Sequence, residues 1–70
     1  MFDRLVSDLS SKLTGKEWSL VSYYVLKADD LGKSGSEDAA REALQSAVDV
    51  ANSKGEYNAA EKIRYYIRFY

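Results

Sequence analysis

Apolar residues return along this chain at three- and four-residue intervals, the spacing of helices with one face turned inward. Phe2, Leu5, Val6, Leu9 and Leu13 share one stripe, with Asp3, Arg4, Ser7, Asp8 and Lys12 opposite, which predicts a helix over residues 2–13. The next four residues, Thr14-Gly15-Lys16-Glu17, have the form of a capping box, with Leu13 and Trp18 at the two positions of a hydrophobic staple. One helix is therefore expected to stop at Leu13 and another to start at Gly15, with a sharp turn between them. Over residues 15–31, Trp18, Val21, Val25 and Ala28 recur at heptad-like spacing, flanked by Leu20, Tyr24 and Leu31. That arc is wide, so this second helix is expected to be the most buried element. Gly32 is expected at its C′ position, followed by a flexible loop through Lys33-Ser34-Gly35-Ser36.

A third helix, over 36–53, is expected to begin at Ser34 or Ser36, with Glu37 and Asp38 favouring its dipole from the first turn. Its inner stripe is Ala40, Ala43, Leu44, Ala47, Val48 and Ala51, small enough for neighbours to approach closely. Gly55 is expected to end it, and Asn58 with Glu61 to cap a fourth helix over 57–70. There Ala59, Ala60, Ile63, Ile67 and Tyr70 form one arc, widened by Tyr65, Tyr66 and Phe69. No segment alternates apolar and polar residues as a half-buried strand does. The pattern predicts an all-α, compact four-helix domain filling residues 1–70 without a linker.

Composition narrows what such a domain can do. The chain has no Cys and no His. Disulfides, thiolate metal sites, the commonest general base and the commonest catalytic zinc ligand are all excluded. At 70 residues it buries only about 60 % of the surface its unfolded form exposes, so large side chains are valuable inside. No apolar run approaches the roughly 20 residues of a membrane span, and Met1-Phe2-Asp3-Arg4 is unlike a signal peptide. A cytoplasmic protein with no membrane contact is expected. The net charge of −1 gives no global attraction to nucleic acid or anionic lipid.

Two local resemblances accompany this pattern. Around Gly55, Tyr57 and Ala60 the chain resembles the Gly-x-Tyr-x-x-Ala turn of a tetratricopeptide repeat, though Arg64 stands where an aromatic is usual and no second copy is present. The resemblance implies a helical hairpin and interaction work. The run Phe2-x-x-Leu5-Val6, then Leu13-Thr14-x-x-Glu17-Trp18, is similar in pattern to the opening of death-effector-type domains, but the chain is too short for their six helices.

The strongest functional signal is the last nine residues, Lys62-Ile63-Arg64-Tyr65-Tyr66-Ile67-Arg68-Phe69-Tyr70, which hold four aromatics and three cations. Rings at 65, 66, 69 and 70 span too broad an arc for the core to take them all, although it is expected to take some. Tyr and Arg combine apolar contact area with hydrogen bonding and are enriched at interface hot spots. Arg64, Tyr65, Arg68, Phe69 and Tyr70 are therefore the expected partner-binding residues. Among weaker signals, one of Tyr23 and Tyr24 is expected inward and the other at the rim, and Trp18 is expected in the core. The acids Asp29, Asp30, Glu37, Asp38, Glu42 and Asp49 read as a solvated face, with a docking face for a basic partner as the alternative. No calcium-loop or phosphate-loop spacing appears, so neither a metal site nor a cofactor site is expected.

The function these residues point to is a small, non-enzymatic protein–protein interaction module without a small-molecule substrate. A chain that opens on Met and closes on this helix is expected to act as a stand-alone accessory, adaptor or inhibitor protein. Its partner is another protein, itself as a homodimer, or both. The alternative is a nucleic-acid-binding protein using the same Tyr/Arg-rich helix as a dimer, with rings stacking on bases and cations on phosphates.

Overall fold

The chain turns twice through the same backbone device. The computed structural model describes residues 4–69, Phe69 by its backbone only, and contains four helices: α1 (Leu5–Lys12), α2 (Gly15–Lys33), α3 (Glu37–Ser53) and α4 (Tyr57–Phe69). No strand occurs among the described residues. After α2, Gly35 takes φ +88°, its N–H donates to the Gly32 carbonyl at 3.2 Å, and the Ser36 N–H donates to the Leu31 carbonyl at 2.8 Å. After α3, Gly55 takes φ +78°, with Gly55 N–H to Asn52 carbonyl at 3.1 Å and Glu56 N–H to Ala51 carbonyl at 2.8 Å. Both are Schellman motifs, with glycine at the left-handed C′ position. The Gly35 and Gly55 corners lie twenty residues apart in sequence, each followed after three residues by an Ala-Ala pair, Ala39-Ala40 and Ala59-Ala60. With three-residue corners, α2–α3 and α3–α4 are both helical hairpins.

Two expectations at these corners are corrected. Gly32 is not the C′ residue of α2 but lies in its last turn. A helical glycine costs only about 1 kcal/mol, and the extra turn adds the Ser34 N–H to Asp30 carbonyl bond and a Lys33–Asp29 ion pair at 2.9 Å. Asn58 does not cap α4, because the helix already includes Tyr57 and Asn58 sits in its first turn. At the start of α3, Ser36 is the N-cap, but through its backbone carbonyl rather than its side chain.

The junction between α1 and α2 follows the sequence closely. Thr14 Oγ1 accepts from the Glu17 N–H at 3.2 Å, and Glu17 Oε1 accepts from the Thr14 N–H at 2.9 Å, completing the capping box. Leu13 is buried and Trp18 is partly buried against the core.

The four helices share one apolar core. Leu5 and Leu9 enter it from α1 and Leu13 from the junction after it; Val21, Val25 and Ala28 from α2; Ala59, Ala60, Ile63 and Tyr66 from α4. All six stripe residues of α3, Ala40, Ala43, Leu44, Ala47, Val48 and Ala51, are buried. α3 packs on α2 and α4 and buries six of its residues, against five in the longer α2, so α3, and not α2, is the most buried element. Its alanines are the physical reason, since a narrow helix lets α2 and α4 approach closely on two sides. α1 packs on α2 and reaches α4, closing the core. The radius of gyration is 10.6 Å, against about 11 Å expected for a compact chain of this length.

Candidate functional site: the outward face of helix α4

The rings of α4 divide cleanly between core and surface. Ala59, Ala60, Ile63 and Tyr66 face inward at helical spacing, which rotates Tyr57, Glu61, Arg64, Tyr65 and Arg68 outward. Tyr66, only 4 % exposed, is a core residue. Its hydroxyl donates to Asp8 Oδ2 of α1 at 2.9 Å, and Lys12 Nζ lies 5.8 Å from its ring centroid. Beside it, Lys62 Nζ donates to the carbonyl of Lys12 at 2.8 Å. That bond satisfies an orphan carbonyl at the C-terminal end of α1 and brings a cation to the negative end of its dipole. These contacts fix the rotation of α4 relative to α1, and with it what α4 shows to solvent.

Tyr65 is 56 % exposed, and its ring stands edge-on to Tyr66, 5.6 Å between centroids and 85° between planes. The exposed ring is therefore oriented by the buried one, an arrangement aromatic quadrupoles favour. Two turns earlier on the same face is Tyr57, 68 % exposed. Tyr57, Glu61, Arg64, Tyr65 and Arg68, with Asn52 of α3, line one continuous surface depression. A second depression, lined by Lys12, Asn58, Glu61, Lys62, Tyr65 and Tyr66, adjoins it across Tyr65. Neither guanidinium has a hydrogen bond or ion pair among the described residues.

Of the residues expected to bind a partner, Arg64, Tyr65 and Arg68 share this face. Tyr70 and the side chain of Phe69 lie outside the described residues. Tyr57 was missed. The signal that would have found it is the spacing 57, 61, 64, 65, 68, a helical stripe as regular as the apolar one but turned outward.

Elsewhere, Tyr23 is exposed and meets Tyr24 edge-on at 5.1 Å, while Tyr24 packs partly against the core, settling which of the pair faces in. Leu26 joins Tyr23 on the outer surface of α2. Most of the acidic residues are exposed, but Asp29 is not. It is 7 % exposed, with one carboxylate oxygen on Lys33 and the other without a hydrogen-bond partner among the described residues. The chain could not announce this, because Asp29 and Asp30 are identical side chains about 100° apart on the helix.

No family model, curated protein or solved structure matches this chain. The tetratricopeptide-like turn does lie in a helical hairpin, α3–α4, and the described residues form four helices where a death-effector-type domain would have six. Among the described residues no group of His, Cys, Asp and Glu is arranged to hold a metal ion. No described helix is long and apolar enough to cross a membrane.

Proposed function

We propose that this protein is a non-enzymatic interaction module that presents the outward face of α4 to a protein partner. The observation that carries this reading is the placement of Tyr57, Arg64, Tyr65 and Arg68 on one exposed stripe, while Tyr66 and the small residues of α4 supply the core. Large exposed rings beside guanidinium groups unpaired among the described residues are costly decoration for a domain this short of apolar mass, and they are the residue types that dominate protein interfaces. Tyr65 is also held in place before any partner arrives, which lowers the ordering cost of binding. Two arginines on one helix make a thin phosphate tract, so protein contact is favoured over nucleic acid.

The test is site-specific cross-linking in the cells that make the protein. A photo-reactive phenylalanine analogue replaces Tyr57 or Tyr65 on α4 or, as the control, Tyr23 on α2. Discrete protein adducts from positions 57 and 65, and none from 23, are expected. Adducts from 23 alone would move the contact to α2, and nucleic-acid adducts from 57 and 65 would replace the protein reading.

A further inference from the structure

The α4 stripe does not stand alone, because α3 offers a matching one along the same groove. On α3, Asp38, Glu42, Gln45 and Asp49 are exposed, and Asn52, next in this stripe, lines the depression with Tyr57, Arg64 and Arg68. Gln45 Nε2 donates to Asp49 Oδ1 at 3.1 Å, which ties the stripe together without neutralising it. α3 carries four carboxylates against one cation, Arg41, whereas α4 carries Lys62, Arg64 and Arg68 against Glu61. Among the described residues no ion pair joins the two helices to each other. An acidic rail and a basic rail thus run side by side, in opposite chain directions, on one face.

From this juxtaposition we propose that the partner at the α3–α4 face is a second copy of this chain, related by a two-fold axis running along the helices. This rests on the reading of α4 as the contact face. A two-fold axis along the helices lays α3 of one copy over α4 of the other, so that Glu42 and Asp49 meet Arg64 and Arg68 twice over. A two-fold axis across the helices would lay α3 on α3 and α4 on α4, placing like charges together. Charge therefore selects the axis, and the interface is isologous and closed. Helices of about 25 Å and about 20 Å, each about 10 Å wide, offer roughly 450 Å² per copy, below the roughly 800 Å² of a standard interface. The dimer is accordingly weak and salt-sensitive.

Light scattering on charge-reversed variants tests this. The protein is measured from about 20 μM to about 1 mM, at about 20 mM and about 500 mM salt. Wild type is expected to approach the dimer mass at high concentration and low salt, and to fall back toward monomer at high salt. R64E/R68E and E42K/D49K, each checked for helicity by circular dichroism, are expected to lose association by about tenfold or more. Mixed in equal amounts, these two variants are expected to regain the dimer mass, because each supplies the charge the other now needs. If either variant fails to fold, R64Q/R68Q and E42Q/D49Q replace the reversals, and both are expected to associate less than wild type. A wild type that stays monomeric, variants that associate normally, or a mixture that remains monomeric would each overturn the proposal. Wild type that is monomeric yet cross-links another protein through positions 57 and 65 would remove the second copy and leave α4 as the contact face. A monomer with no adduct from either position would remove both.

Discussion

Tyr66 and Asp8, fifty-eight positions apart in the chain, are joined by a hydrogen bond of 2.9 Å from the phenol to the carboxylate. Together with the Lys62 bond to the Lys12 carbonyl it ties the last helix to the first, on the side where Tyr66 and not Tyr65 goes inside. Removing only the hydroxyl, by Tyr66→Phe, is expected to cost about 1–2 kcal/mol, since the acceptor is a carboxylate and water can replace the phenol only in part. For a domain of this size that lowers the melting temperature by about 4–8 °C per kcal/mol. A double-mutant cycle with Asp8→Ala, followed by urea denaturation, is expected to show coupling between the two side chains. Additive effects would mean that the bond contributes nothing.

The paired corners give a comparison in which only the backbone matters. A Cβ built on Gly15, Gly35 or Gly55 meets no atom within 4 Å, so steric contact is absent at all three. Gly35 and Gly55 have positive φ, and alanine there is expected to destabilise by about 1–2 kcal/mol each. Gly15 is the first residue of α2, where alanine is expected to be neutral or to stabilise by up to about 1 kcal/mol. Thermal melts of the three single variants check this, and equal shifts at all three sites would contradict the corner assignment.

Much of this fold was readable because its signals are local. The capping box at Thr14 and Glu17 satisfies its own donors within four residues, so no distant contact can override it. The stripe of α3 was readable in full because alanines and single large residues alternate at helical spacing with charged ones. What failed did so where local chemistry is degenerate. Gly32 and Gly35 can each end a helix, and a glycine inside the last turn is cheap enough for one ion pair and added backbone bonds to decide between them. Tyr65 and Tyr66 are the same residue on adjacent positions, and only the arrival of α1, with Asp8, buries the second. Tyr57 stands eight residues before Tyr65, and only the unbroken helix between them brings both onto one face.

Asp29 is buried, as Glu17 is, but without a capping role, and it makes a prediction against intuition. Its carboxylate is buried with one oxygen unpartnered among the described residues, while its ion pair with Lys33 reaches a side chain that is 56 % exposed. A pair whose cation stands in solvent contributes little, whereas the uncompensated oxygen costs on the order of 1–3 kcal/mol. Asp29→Ala also improves helix propensity in α2. The variant is expected to be as stable as wild type or more stable, by up to about 1 kcal/mol. A melting temperature that falls by several degrees would show the Lys33 pair to be worth more than this account allows.

On the proposed function Tyr66 of α4 serves the core while Tyr57 and Tyr65 serve contact, and unfolding measurements on two variants separate those roles most directly. In dilute solution at high salt, Tyr57→Ala combined with Tyr65→Ala is expected to leave the unfolding free energy within about 0.5 kcal/mol per site of wild type, as exposed positions do. Tyr66→Ala under the same conditions is expected to lose about 3–5 kcal/mol, enough to unfold much of a domain this small. If the double variant instead collapses as Tyr66→Ala does, the outward rings are structural and α4 is not a presenting face.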